Sequence, residues 1–267
     1  MNPITIAHLS DIHYNPRDNS NISTMLRERE ILVEKRLPVC LENLKLRKPD
    51  VLLITGDLTH EGCADDYAYL KKQIGTALPG VPVLCSMGNH DRRSAFRSGF
   101  LGEGEAAPDS PYYASMVAKG YRFISLDSSW EKGMEGTFPE DALTYLREKL
   151  DGPGVCGNIL IMHHPVMTMA GHLSFSMTDT FQEILQSGKI TAIFNGHVHG
   201  CYTGTVCGVP QFTSDSLKTG SDLNGGRISY NDRSGYQIVT FYESGDWLVE
   251  RFLLHPETEL FFERDFY

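Results

Sequence analysis

The apolar run Val81-Pro82-Val83-Leu84-Cys85 empties into a polar turn, Gly88-Asn89-His90-Asp91, and a junction of this kind recurs four more times in the chain. An apolar run of that length, bounded by turn residues, predicts a buried strand, and Gly88 is expected to permit a sharp exit from it. Ile4 to Leu9 ends at Ser10-Asp11-Ile12-His13, and Val51 to Thr55 at Gly56-Asp57. Asn158 to Met162 ends at His163-His164-Pro165, and Ile190 to Phe194 at Asn195-Gly196-His197-Val198-His199. Strand-like runs alternating with helical stretches constrain the chain to an α/β fold. In open sheets of that class, ligands bind beyond the carboxyl ends of the strands. One Asp or His after a strand is ordinary as a turn, cap or core residue. Five such exits are hard to assign to chance.

Between these exits the helical stretches are Thr24 to Arg47, expected to break or kink at Pro38, then about Ala64 to Ile74, Pro139 to Leu150 and Asp179 to Gln186. Tyr121 to Leu126 predicts a further strand, and residues 92–118 read as irregular. Beyond position 200 the short alternating runs 201–206, 209–213, 236–242 and 247–253 predict antiparallel hairpins. No internal repeat or shift in composition divides residues 1–267, so one domain is expected.

The candidate donors Asp11, His13, Asp57, Asn89, His163, His197 and His199 offer oxygen or imidazole nitrogen, a set suited to zinc, iron or manganese. Such ions would answer a problem of charge. The formal net charge is -10, which argues against non-specific binding to nucleic acid or an anionic membrane, so a phosphate-bearing substrate needs a local source of positive charge. With no basic-then-apolar leader and no run near the roughly 18 apolar residues of a membrane span, a cytoplasmic location is expected. The six cysteines form no Cys-x-x-Cys pair and are expected to be reduced thiols.

The motif order Asp-x-His, Gly-Asp, Gly-Asn-His-Asp, His, Gly-His-x-His resembles the calcineurin-like metallophosphoesterase superfamily across positions 11 to 199. Leu-Ser-Asp-x-His, Gly-Asp-Leu-Thr, Gly-Asn-His-Asp and His-His-Pro are most similar to class III cyclic nucleotide phosphodiesterases and glycerophosphodiesterases. The resemblance implies a four-layer αββα sandwich, with two mixed sheets between helices. It implies two metal ions of iron, manganese or zinc. Asp11, His13 and His199 would hold the first, Asn89, His163 and His197 the second, and Asp57 would bridge them about 3.5–4 Å apart. It further implies in-line attack by metal-bound hydroxide on a small-molecule phosphodiester. His90 would face the phosphoryl group, either stabilising an oxygen or protonating the leaving alkoxide, and Asp91 would orient its neighbours.

His60 and His164 are candidate substrate contacts; for His164, adjacent to a ligand, a supporting position is the alternative. Gly56-Asp57-Leu58-Thr59-His60-Glu61-Gly62 lacks the Asp-Arg pair of the superfamily's protein phosphatases, and Asp91 stands where those carry Glu. Both departures point away from protein phosphatase activity. A phosphomonoesterase with the same metals, or a non-catalytic scaffold of the same fold, are the rival readings. Relatives are often dimers or larger, so a homo-oligomer is among the implied states. Substrate choice is expected in mobile-looking segments at the mouth, 14–22, 92–118, 165–178 and 215–235, with Tyr14, Arg17, Arg92, Arg93, His172 and Arg227 as further candidate contacts. Gly152-Pro153-Gly154-Val155-Cys156-Gly157 matches a dinucleotide fingerprint in letters only, because it follows a helix and precedes a strand, the reverse of what that site needs.

Overall fold

The computed structural model describes residues 3–104, 107–129, 134–153, 155–169, 171–224 and 226–265. In chain order the first strands are β1 (Ile4–Leu9), β2 (Val51–Thr55), β3 (Val83–Ser86), β4 (Ala114–Ala118), β5 (Tyr121–Ser125), β6 (Gly157–Ile161) and β7 (Ile190–Asn195). After these come β8 (Tyr202–Val206), β9 (Val209–Thr213), β10 (Gly220–Asn224), β11 (Arg227–Asn231), β12 (Ser234–Phe241), β13 (Trp247–His255) and β14 (Leu260–Asp265). The helices are α1 (Asn21–Glu28), α2 (Val33–Arg47), α3 (Ala64–Ala77), the short α4 (Arg93–Phe96), α5 (Glu140–Leu150) and α6 (Asp179–Gln186).

Two mixed sheets form the centre. One runs β13-β12-β1-β2-β3 and the other β4-β5-β6-β7-β9-β8. Within them β1, β2 and β3 are parallel, as are β5, β6, β7 and β9. Side chains alternate across each strand, which explains why β2 is buried at every position and apolar from Val51 to Ile54: both its faces are covered. Val51 and Leu53 pack inward with Ile6, Leu84, Phe123, Ile159, Ile161, Phe194 and Phe212, forming the layer between the sheets. Leu52 and Ile54 point the other way, against Leu37, Leu41 and Leu44 of α2 and Tyr67, Leu70 and Ile74 of α3. On the far side, α5 and α6 cover the second sheet through Leu143, Leu146, Phe181 and Leu185, which meet Ile124, Leu160 and Ile193. The expected order of helices, sheet, sheet and helices is therefore present.

Three expectations are corrected. The helix predicted across Thr24 to Arg47 is two helices, and the break lies at residues 29–32, where Glu30 adopts a left-handed φ of 57°. Pro38 sits inside α2 without ending it. An interior proline costs about 3 kcal/mol, whereas Leu37, Cys40, Leu41 and Leu44 are buried on one face, and each buried leucine returns roughly 1.5–3 kcal/mol. Residues 92–118 are not all irregular: α4 continues into a π-helical turn, Arg97–Leu101, and β4 closes an edge of the second sheet. Segment 215–235 is likewise structured, since β10 and β11 join β14 in a three-stranded antiparallel sheet. No described helix is long and apolar enough to cross a membrane.

Candidate metal centre

The exits of β1, β2 and β3 from one sheet, and of β6 and β7 from the other, converge on one pocket. Backbone hydrogen bonds lock the turns together: Asp11 N–H donates to Gly56 O at 3.1 Å, His13 N–H to Asp57 O at 2.8 Å, and Gly196 N–H to His163 O at 2.9 Å. Five of the candidate ligands, Asp11, His13, Asp57, His197 and His199, have φ between 48° and 71°. Non-glycine residues enter that region at a cost of about 1–2 kcal/mol each, and strain of this kind concentrates at functional sites. Gly88 serves for space rather than for an unusual φ, because a Cβ there would lie 2.1 Å from Asp57 Oδ1. At Gly196 a Cβ would lie 1.7 Å from Ser10 Oγ and 2.4 Å from Asp11 Oδ2.

The seven donor residues come together as two groups joined by Asp57. In the first, His13 Nε2 is 3.0 Å from His199 Nε2 and 3.7 Å from Asp11 Oδ1, and His199 Nε2 is 3.4 Å from the same oxygen. In the second, His163 Nε2 is 3.2 Å from both Asn89 Oδ1 and His197 Nδ1. Asp57 Oδ2 lies 3.5 Å from His13 Nε2 and 3.4 Å from His163 Nε2, so one carboxylate oxygen faces both groups. The ligating atoms of Asp11, His13 and His199 lie within 4.8 Å of one another, as do those of Asp11, Asp57 and His163. Asp11 Oδ1 is buried without a hydrogen-bond partner among the described residues, an expensive state for a carboxylate oxygen unless a cation meets it.

Backbone carbonyls set which nitrogen each imidazole presents. His163 Nδ1–H donates to Thr55 O at 2.7 Å and His199 Nδ1–H to Thr219 O at 2.9 Å, which turns both Nε2 atoms to the pocket. His197 is reversed: its Nε2–H donates to Met134 O at 3.0 Å, leaving Nδ1 to face inward. Outer partners of this type orient ligating histidines.

The pocket's potential favours cations. Burial opposes ionisation of Asp57, yet His163 and His13 hold its pKa well below the usual carboxylate value. Burial equally opposes a charged His163, but Asp57 and Asp11 outweigh it and raise that group to about 9. Burial lowers His197 to about 3, reinforced by repulsion from His163. Asp91 is pushed up to about 6 by burial and by Asp57. Its two oxygens accept hydrogen bonds from Tyr67 Oη, Thr59 N, Gly88 N and Leu58 N. Asp91 thus pins the turn after β2 to the turn after β3, which is the contact set of an orienting group.

Behind the pocket, buried His8 is held neutral: Gln237 Nε2 donates to its Nδ1 at 2.8 Å, and its Nε2 lies 2.9 Å from Thr55 Oγ1. Burial lowers its pKa from 6.5 to about 3. Between those values the unfolded chain takes up a proton that the folded chain refuses, so stability falls as pH drops from 6.5 towards 3. At the acid end this one group is expected to remove about 4 kcal/mol. Tm measured from pH 7 to pH 4 should fall less steeply in His8→Gln than in the parent, and parallel curves would refute the assignment.

The candidate substrate contacts separate sharply. His60 is half-buried, stacks on His90 with ring centroids 4.3 Å apart, and its Nδ1 lies 3.4 Å from His13 Nδ1. His164 is fully buried, held by Ser128 Oγ at 3.0 Å and packed 4.3 Å from the His197 ring, so it supports that ring rather than facing the opening. Tyr14 is buried against Tyr69, and Arg93 is buried in an ion pair with Asp127. Arg17, Arg92 and Arg227 pair with Asp66, Glu61 and Glu263. The His172 side chain lies outside the described residues. Lys218 carries no signal in sequence, yet its half-buried ammonium disfavours protonation of both His13 and His60. Asp127, just past β5, could have been found, because Ser125-Leu126-Asp127-Ser128 repeats the strand-then-carboxylate pattern of the other exits.

The chain is similar to known phosphoesterases over most of its length. The family model described as calcineurin-like phosphoesterase matches residues 4–201. A probable cyclic nucleotide phosphodiesterase of Rhodococcus erythropolis is 32% identical over 253 residues, covering 89% of this chain and 80% of the relative. A probable glycerophosphodiester phosphodiesterase of Arcobacter nitrofigilis is 27% identical over 205 residues, covering 73% and 71%. Among solved structures, a dimetal phosphatase from Danio rerio shares the fold with a TM-score of 0.59 at 15% identity, covering 86% of this chain and 96% of that one.

Proposed function

Because the chain belongs to the calcineurin-like phosphoesterase family, we propose that it is a metal-dependent hydrolase of small-molecule phosphodiesters, of the cyclic nucleotide or glycerophosphodiester type. One observation carries the reading: Asp57 Oδ2 faces two separate donor groups assembled from both sheets. The residues fit two ions, Asp11, His13 and His199 holding one, Asn89, His163 and His197 the other, with Asp57 shared. Hard oxygen and borderline imidazole donors suit iron, manganese or zinc, and the buried Asp11 Oδ1, facing His13 and His199, offers an acceptor that a cation would satisfy. When bound, a pair of such ions supplies positive charge for phosphate oxygens and acidifies the attacking water.

The chain's own part follows from the groups around that pair. His90 donates its backbone N–H to Asp57 Oδ1 at 2.9 Å, which fixes its Cα directly beside the shared carboxylate. Its ring, half-buried and stacked on His60, stands 5.2 Å from the His13 ring. From there an imidazole can hold a non-bridging oxygen or give a proton to the leaving alkoxide. His60 stacks against it at a centroid separation of 4.3 Å, and the Lys218 ammonium disfavours a second positive charge on His60. Local cations therefore answer the acidic balance of the whole chain.

The test is a panel of 3′,5′-cyclic nucleotides, glycerophosphodiesters, bis(p-nitrophenyl) phosphate and phosphomonoesters, assayed on protein of known metal content. Diester turnover should exceed monoester turnover by about 10-fold or more. Protein loaded with manganese, iron or zinc yet inert on every diester would overturn the reading, and a monoester preference would transfer it to the phosphomonoesterases.

A further inference from the structure

We infer that the buried Arg93–Asp127 pair, closed by Ser129, is the positioning staple that fixes the Asn89-His90 turn relative to His163 across the gap between the two sheets. The inference rests on the proposed function. The two halves of the second donor group belong to different sheets: Asn89 follows β3, whereas His163 follows β6. Nothing in strand pairing sets their separation, because β3 and β6 do not share a sheet. Contacts that cross between the sheets set it instead, the His163 Nδ1–H bond to Thr55 O and the apolar layer among them.

The staple has the geometry for that task. Arg93 Nε and Nη2 each donate to Asp127 at 2.9 Å in a two-pronged pair, and both residues are 0% exposed. Arg93 Nη1 reaches Asp91 O at 3.2 Å, so the guanidinium grips the backbone of the Gly88–Asp91 turn itself. Ser129 Oγ accepts from Arg93 Nη2 at 2.8 Å and lies within hydrogen-bond distance of both Met87 O, at 3.2 Å, and Asp127 Oδ1, at 3.0 Å. The same short segment grips the other half: Ser128 Oγ lies 3.0 Å from His164 Nδ1 and accepts from His164 N at 3.2 Å, next to His163. Below it, Ser125 Oγ donates to Cys85 O at 2.8 Å, tying β5 to β3 from opposite sheets. Residues 125–129 thus clamp the β3 exit on one side and the β6 exit on the other.

A buried ion pair is not explained by stability alone, since a well-packed apolar replacement is often neutral. What Arg93 adds is direction. Its planar fork fixes the plane of the pair, and a lysine could not reproduce it. Misplacing a catalytic group by about 1 Å can lower turnover 10²-fold, and the separation of Asn89 Oδ1 from His163 Nε2, 3.2 Å, leaves little slack.

The experiment uses the full chain and two variants. Arg93→Met/Asp127→Asn removes both charges together, so neither is stranded. Ser129→Ala removes only the bridging hydroxyl and leaves the ion pair intact. Metal-stripped proteins are titrated with manganese by calorimetry, and kcat and KM are measured on a diester turned over by the parent. In the double variant one manganese site should weaken about 10-fold or more while the other is unchanged, and kcat should fall about 10–100-fold with KM within twofold. Ser129→Ala should lower kcat at least threefold in the same direction, and decides the matter by itself if the double variant does not fold. Parent-like manganese affinities at both sites and parent-like kcat in every folded variant would overturn the staple. A parent inert on all diesters would overturn the function instead, leaving the manganese titration to judge the staple.

Discussion

Protein carrying Asp57→Ala is expected to lose nearly all of its bound metal and to turn over diesters at least about 10³-fold more slowly than the parent. The size follows from the place of this carboxylate. Its Oδ2 faces His13 and His163 at 3.5 and 3.4 Å, and its Oδ1 accepts the His90 N–H. One substitution therefore removes a donor to both groups and releases the turn that presents His90. Outer-sphere changes alone commonly weaken metal sites 10–100-fold, so the loss of a shared ligand should exceed that range. Asn89→Ala, which touches one group only, should leave about one ion per chain. Elemental analysis of the two variants prepared alike is the measurement. Equal metal content in both would refute the bridging role, whatever the activities.

The second large effect is kinetic. His90→Ala should retain both metal ions and fold as the parent does, yet lower kcat about 10²–10³-fold, the usual worth of a positioned acid or electrostatic stabiliser. Among the described residues its ring makes no contact that a ligand would make: it stacks on His60 and stands edge-on to His13, while the turn is held by Asp91 and by its own backbone. A leaving group that needs no proton, such as p-nitrophenolate, should lose less rate in the variant than an alkoxide if the imidazole acts as an acid. Equal losses on both would instead assign it to the non-bridging oxygen. Full activity in the variant would remove His90 from the chemistry.

Most of the donor set was legible because its determinants are local. A strand followed by Asp-x-His or Gly-His-x-His announces itself through turn residues and donor types side by side. All seven named donors meet in the pocket. What escaped was set by contacts distant in sequence. Arg93, charged and next to a functional turn, reads as a pocket residue, but Asp127 makes burial possible from 34 positions away. Lys218 lies in a segment with no motif, and its place comes from neighbours: Leu217 N–H bonds to Ser10 O, and Thr219 O accepts from His199. For His164 the sequence left two positions open, a substrate contact or a supporting one, and successive residues leaving a strand take opposite directions. One enters the pocket, and the other is sealed behind it by Ser128.

The fold divides in the same way. β2 and the amphipathic faces of α3, α5 and α6 follow from period and composition, which a chain carries in any context. The small sheet of β10, β11 and β14 does not: β10 and β11 form a local hairpin but break the apolar alternation with Ser221, Asp222, Arg227 and Ser229, and β14 joins β11 from more than 25 positions further along the chain. By itself the sequence determined which residues could ligate and on which strand ends they stand. Only the tertiary structure decided that two sheets would bring those ends to one point, that Asp57 would face both groups, and which nitrogen each histidine would present. Those outcomes depend on partners such as Thr55, Thr219 and Met134, whose carbonyls are common to every residue and acquire meaning only from position.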